Sequence, residues 1–253
     1  MTPTLVRHDP VRDWVEIQER MLAPLYEAVY ERLGVGAGTR LLGLDCGSGL
    51  ALLMAAARGA RVAGTDPDGT RLEQARQRLA AYDADLAGSP AAPGPYDVIT
   101  AFHPTGRGTR TPGALAAAVT RSAVRGAAVV LAGWGPPERC ASAPVLGLAA
   151  RLSEAAADGS AGPPVPRDDL DERVARAGLW PDGSGRVACP FGYADLDSAV
   201  RGLLSTGVFD PAAAATDTSQ VEKELAEALH PYVRGDGTVW MPNVFRYVIA
   251  RVP

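Results

Sequence analysis

Between Leu41 and Arg76 the chain alternates apolar runs and turns in a pattern that few folds can accommodate. Leu41-Leu42-Gly43-Leu44 is a short, continuously apolar run of the kind that forms a strand buried on both faces. It leads into Asp45 and the turn Gly47-Ser48-Gly49, after which Leu50 to about Arg58 reads as a helix. A second strand, Arg61 to Thr65, ends in Asp66 and is followed by another helix-like run. Strands joined through helices in this way run parallel, which commits the chain to an α/β sheet covered on both faces. Glycines at 47 and 49 let the backbone approach a ligand without Cβ clashes, and the helix that follows points its first N–H groups into the same space. Asp66 lies about 20 residues beyond the first acid, where a carboxylate is placed to hold ribose hydroxyls.

The details of the turn choose between nucleotides. A dinucleotide fingerprint beginning at Gly47 requires glycine at position 52, which is Leu52. Asp45, just before the turn, would repel a pyrophosphate but suits the cationic ammonium of a methionine moiety. The pattern Asp45-x-Gly47-x-Gly49-x-Ala51 resembles motif I of the class I S-adenosylmethionine-dependent methyltransferases, with Ala51 in place of the usual third glycine. This resemblance implies S-adenosyl-L-methionine as cofactor, with Asp45, Gly47 and Gly49 on its methionine side, Asp66 on the ribose and Pro67 beside the adenine. It further matches Asp83, with Ala84 beside it, to the acid that accepts from the adenine amino group, Asp85 being the alternate. The family usually places glycine before that acid, where this chain has Tyr82.

Composition narrows the remaining classes. With 253 residues, 47 % hydrophobic and 21 % charged, the chain can hold one α/β domain with an appended cap. A net charge of −4 favours neither nucleic acid nor an anionic membrane surface. Cys46, Cys140 and Cys189 are widely spaced, so neither a zinc site nor a disulfide framework is indicated, and Cys46 reads as a small filler beside the turn. The N-terminus, with Arg7, His8 and Asp9, lacks the apolar run of a signal peptide, and no stretch matches a membrane span. The expectation is a cytoplasmic protein with a small-molecule acceptor and no nucleic-acid or membrane partner; its oligomeric state is not legible.

Along the chain, Trp14, Ile17, Met21, Leu25, Ala28 and Val29 share one helical face, predicting an N-terminal helical lid over residues 10–33 with Pro24 opening its second helix. A cofactor-binding core spans 41–134. Within it, Asp68 or Thr70 caps a helix carrying Leu72, Ala75 and Leu79 inward, a short third strand is expected over Ala80 to Tyr82, and a fourth runs from Tyr96 to Phe102. Pro112 opens a helix through about Arg121, and Ala127 to Trp134 is a fifth, buried strand. Helices are expected near Ala143 to Ala157 and Arg167 to Ala177, flanking a Gly/Pro linker over Gly159 to Pro166, with a strand from Gly185 to Pro190. Segment 194–236 reads as a helical cap before the last strand. Asp195 caps a stripe of Leu196, Ala199, Val200, Leu203 and Leu204, and the box Ser219-x-x-Glu222 opens a helix burying Val221, Leu225 and Leu229. The last strand is expected from Val239 to Val252, with Pro242 near its start on an edge.

This order resembles the class I methyltransferase fold across nearly the whole chain, residues 1–253 as one domain. It implies a Rossmann-like, doubly wound seven-stranded sheet with an appended helical cap, five parallel strands being followed by two more and the last inserted antiparallel. Trp134-Gly135-x-Pro137-Glu138-Arg139-Cys140 and Asn243-Val244-Phe245-Arg246-Tyr247 look like a small-molecule branch related to the ubiquinone/menaquinone C-methyltransferases. His103, directly after the fourth strand, sits where ligands bind in open α/β sheets and can act as a base toward an acceptor hydroxyl or simply shape the site. Arg107 and Arg110 read as a solvated loop before an acid-recognising pair, and Tyr26 as packing, whereas Trp14 divides evenly between packing and lining a lid. Phe191 and Tyr193 either line the acceptor side or anchor the cap. The expected activity is methyl transfer to a small organic acceptor; the alternative is a methyltransferase fold that binds the cofactor but catalyses a cyclisation or rearrangement.

Overall fold

The computed structural model describes residues 9–88, 94–102, 113–156 and 169–253, with side chains omitted at 154–156. Among the described residues nine strands and ten α-helices run in chain order: α1 (Pro10–Asp13), α2 (Ala23–Leu33), β1 (Arg40–Leu44), α3 (Leu50–Ala57), β2 (Arg61–Thr65), α4 (Gly69–Arg78), β3 (Asp85–Ala87) and β4 (Tyr96–Ala101). There follow α5 (Ala114–Ser122), β5 (Ala123–Trp134), α6 (Ala143–Ala156), α7 (Leu170–Arg176), β6 (Trp180–Ala188), β7 (Phe191–Tyr193) and α8 (Leu196–Leu204). The chain closes with α9 (Asp210–Ala215), α10 (Thr218–Leu229), β8 (Val239–Met241) and β9 (Val244–Arg251). These elements fall into two compact units, one of Met1–Met21, Pro137–Pro166 and Pro190–Asn243, the other of Leu22–Pro136, Arg167–Cys189 and Val244–Pro253.

The second of these units holds a seven-stranded sheet in the order β3-β2-β1-β4-β5-β9-β6. The first five strands pair in parallel, and β9 lies antiparallel between β5 and β6. This is the α/β Rossmann-like arrangement of the methyltransferase fold. Its core joins Leu42, Leu44, Ile99, Val129 and Leu131 from the sheet with Leu115, Val119, Leu170 and Val174 from helices. β1 and β2 meet at facing glycines, Gly43 and Gly64. A Cβ on Gly64 would come within 2.5 Å of a Leu52 methyl, so that glycine is what allows α3 to lie directly on the sheet.

In the other unit, α1 leads into a π-turn (Trp14–Gln18), α8 packs against that turn, α6 against α9 and α10, and β7 pairs with β8 as a separate two-stranded sheet. Asp13 is buried and bonded to Arg201 of α8, whose Nε donates to it at 3.1 Å, while the Tyr193 hydroxyl donates to Gln18 at 2.9 Å. Phe191 and Tyr193 are buried here, ring against ring.

Several boundaries differ from the sequence expectation. β3 lies at Asp85–Ala87 rather than Ala80 to Tyr82, held by its ladder to β2 instead of by an apolar run. β6 starts earlier, at Trp180, with an irregularity between Pro181 and Gly183 that an edge strand tolerates. The expected single last strand is two strands in different sheets, divided at Pro242-Asn243. The Asn243 carboxamide oxygen there accepts from the Ser142 N–H and hydroxyl at 3.0 and 2.8 Å. β9 is interior rather than an edge. α10 is capped by Asp217, which accepts from the N–H and hydroxyl of Ser219, instead of by Ser219 itself. Its stripe of Val221, Leu225 and Leu229 is buried as expected, and Asp195 caps α8 by accepting from the Ser198 N–H at 2.7 Å. Pro112, Arg167 and the Gly159 to Pro166 linker lie outside the described residues.

Candidate functional site

β1 and β2 both end at the edge of the sheet where Asp45 and Asp66 stand, and the backbone there is shaped by unusual dihedrals. Asp45 is the one non-glycine residue with positive φ among the described residues, at 49°, and Gly47 and Gly49 follow at 58° and 81°. A left-handed aspartate stores strain that the surroundings must hold in place. Here the surroundings do so with buried hydrogen bonds. The Cys46 N–H donates to the Thr65 carbonyl at 2.9 Å, extending the ladder by one step, and the Gly49 N–H donates to the Cys46 carbonyl at 3.0 Å. The Gly47 N–H donates to Oδ2 of Asp66 at 2.8 Å.

Asp66 is therefore part of the turn as well as its neighbour. It is 3 % exposed, and its other oxygen accepts from the Asp68 N–H at 2.9 Å. A carboxylate offers about four acceptor positions, of which these two bonds use two. Burial pushes the Asp66 carboxyl above the usual range; the N–H groups of Asp68 and Gly47 and the charge of Arg71 pull against that, and Asp45 adds to it. Two carboxylates near one glycine turn make a surface hostile to phosphate and receptive to a cation or to hydroxyl donors. Asp68 caps α4 by accepting from the N–H groups of Thr70 and Arg71, and exposed Pro67 joins the two acids.

Asp45, Gly47, Gly49, Asp66 and Pro67 are thus brought together at one end of the sheet. Asp83 and Ala84 are not. They precede β3, which runs parallel to β2 with Thr65 opposite Ala87, so they lie at the opposite end of that strand from Asp66. Asp83 and Ala84, matched to the adenine contact, are therefore not brought to the turn, and Asp85, the alternate, opens the strand facing Ala63. Gly88 is the residue that leaves β3 on Asp66's side. His103, Arg107 and Arg110 lie outside the described residues.

Three features beside the turn were not legible in the sequence. Arg78, in the last turn of α4, donates to the Ser48 carbonyl at 2.9 Å. Tyr30 of α2 donates to the Ala51 carbonyl in the first turn of α3 at 2.8 Å, and its burial drives its hydroxyl far above the usual range. Phe102, directly after β4, packs its ring on Tyr26 at 5.0 Å and on Tyr30 at 5.8 Å. Tyr26 is accordingly 4 % exposed, a packing residue as expected. Each link joins residues distant in sequence, and no local spacing encodes it.

No sequence-family profile matches the chain, and no curated protein matches it. Solved structures do, at low identity. A Bacillus halodurans C-125 protein provisionally assigned as a methyltransferase is 14 % identical, covering 89 % of this chain and 98 % of its own, with a TM-score of 0.56. Geranyl diphosphate C-methyltransferase from Streptomyces coelicolor A3(2), solved with Mg²⁺, geranyl diphosphate and S-adenosyl-L-homocysteine, is 14 % identical over 93 % of this chain and 80 % of its own, with a TM-score of 0.52. The [4+2]-cyclase SpnF is 16 % identical, covering 99 % and 89 % of the two chains, with a TM-score of 0.54. What these share with this chain is the methyltransferase fold. Among the described residues no helix is long and apolar enough to cross a membrane.

Proposed function

We propose that the chain binds S-adenosylmethionine at the Gly47–Gly49 turn and transfers its methyl group to a small organic acceptor. The observation that carries this reading is the hydrogen bond from the Gly47 N–H to buried Asp66, which fixes a glycine turn and a ribose-binding acid as one unit. The residues suit the group. The turn presents no Cβ at 47 or 49, Asp45 supplies a carboxylate for an ammonium, and Asp66 keeps acceptor positions for two hydroxyls. Pro67 borders the adenine in this reading.

S-adenosylmethionine supplies a methyl group that its sulfonium already makes electrophilic. The work left to the chain is to hold the nucleoside, orient the methionine half and keep water out. Asp66 fixes the ribose, Asp45 the amino group, and the ring of Phe102 offers an apolar wall after β4. His103 is assigned to the acceptor side, taking a proton from an acceptor hydroxyl or shaping that surface. Affiliation with the ubiquinone/menaquinone type rests on the Trp134 to Cys140 and Asn243 to Tyr247 motifs, and the acidic net charge supports a small-molecule acceptor over nucleic acid in a cytoplasmic, biosynthetic setting.

A second reading, a cyclisation or rearrangement with the cofactor bound but unreacted, is favoured by the likeness to SpnF. Incubation with labelled S-adenosylmethionine and a panel of phenolic and terpenoid acceptors separates the two. Acceptor-dependent release of S-adenosylhomocysteine supports methyl transfer. Turnover of an acceptor with the cofactor intact overturns it in favour of the second reading.

A further inference from the structure

The glycine turn is gripped from outside by α4. A Cβ built on Gly49 would lie 3.0 Å from the Ala75 Cβ, so the helix rests directly on the turn. Three residues further along the same helix face, the Arg78 guanidinium donates to the Ser48 carbonyl at 2.9 Å, with the Ser48 hydroxyl at 3.5 Å. Ser48 is fully buried, and the N–H of the same peptide, that of Gly49, donates to the Cys46 carbonyl at 3.0 Å. The Ser48–Gly49 peptide is therefore held at its oxygen by a cation and at its nitrogen by the chain.

The glycine that follows gives that peptide a second conformation. Rotating it inverts φ at residue 49, which sits at 81°, and glycine occupies either sign at little cost. A flip would break the bond to Cys46 and set the Ser48 carbonyl oxygen against the Cys46 carbonyl, disturbing the backbone of the turn that leads into α3. The Arg78 bond opposes this, because the flipped state leaves the guanidinium without that acceptor. Resting on the cofactor reading above, we propose that Arg78 is a positioning residue that locks the Ser48–Gly49 peptide and thereby sets affinity for the amino-acid half of the cofactor. The nucleoside half, held through Asp66, depends on it less, because the bond from the Gly47 N–H to Asp66 is made one peptide earlier in the turn.

The test uses the full chain with Arg78→Met, Arg78→Lys and, as a charge control at the far end of β2, Arg61→Met. Each is titrated calorimetrically with S-adenosylhomocysteine and with methylthioadenosine, which lacks the amino-acid group, and amide hydrogen exchange at Gly49 is followed by NMR. The expected result for Arg78→Met is roughly tenfold weaker binding of S-adenosylhomocysteine, methylthioadenosine unchanged within about twofold, and faster exchange at Gly49. Lysine should restore part of both effects, and Arg61→Met should change neither. Equal losses on the two ligands, or parent-like exchange at Gly49, would overturn the proposal. Failure of the parent chain to bind S-adenosylhomocysteine would refute the cofactor reading instead, and the exchange comparison would still decide the clamp. If the methionine variant does not fold, the lysine variant carries the same comparisons, since it keeps the charge but loses the planar fork.

Discussion

Replacing Asp66 with alanine removes acceptors from two directions at once. Toward the protein, the N–H groups of Gly47 and Asp68 lose partners at 2.8 and 2.9 Å inside a residue that is 3 % exposed. Toward a ligand, the two remaining acceptor positions disappear. A hydrogen bond to a charged group is worth about 1.5–3 kcal/mol, so affinity for S-adenosylhomocysteine should fall roughly 10- to 150-fold. Stability should suffer less, about 1–2 kcal/mol, because the variant also sheds the cost of burying a carboxylate. That cost has a pH signature. Burial raises the Asp66 carboxyl above the usual range, so the folded chain holds this proton more tightly than the unfolded one. The group's contribution then declines as pH rises through the raised value, and the alanine variant's deficit in melting temperature should be larger on the acid side than at neutral pH. Calorimetry with S-adenosylhomocysteine and with an analogue lacking both ribose hydroxyls isolates the ligand effect. The large loss should appear with the former and nearly vanish with the latter. An equal loss for both, or unchanged affinity, would refute the ribose assignment.

Gly49→Ala combines a positive φ with a methyl 3.0 Å from Ala75, and should cost about 2–3 kcal/mol in chemical denaturation while abolishing cofactor binding. Asp13→Ala leaves Arg201 without its buried partner and should destabilise by about 2–3 kcal/mol; a double variant with leucine at 13 and 201 should recover part of that, measurable as a non-additive melting temperature. Asp97 accepts from Arg40, whose guanidinium holds the carboxyl below its usual range. The stability it adds is present at neutral pH and lost as pH falls through the lowered value, so the small melting deficit of Asp97→Asn should shrink in acid.

The parts of the fold that announced themselves were those whose burial is continuous in sequence. Leu41 to Leu44 and Val62 to Gly64 are apolar because both faces of those strands are covered, and the acids and glycines between them mark the turn. The position of β3 is not legible locally, because it is three residues at a sheet edge with Asp85 exposed, and it follows from pairing with β2. With β3 at Asp85–Ala87, Asp83 and Ala84 precede the strand instead of following one. β7 and β8 were hidden for a related reason. Each is three residues long, and the break at Pro242-Asn243 is set by a bond from Ser142, about a hundred residues away in the chain. The roles of Arg78 and Tyr30 are not legible locally, because an arginine or tyrosine on a helix carries no sign that it will donate to a distant carbonyl.

The central claim is that the Asp45–Gly49 turn and Asp66 select S-adenosylmethionine over other nucleotides. Parallel calorimetric titrations of the full chain with S-adenosylhomocysteine and with NAD test it most directly. Saturable binding of S-adenosylhomocysteine at one site per chain, with no detectable heat from NAD at the same concentrations, is the predicted result. Binding of NAD as tight as, or tighter than, S-adenosylhomocysteine would contradict the account, since the carboxylates at 45 and 66 would then not be excluding a pyrophosphate.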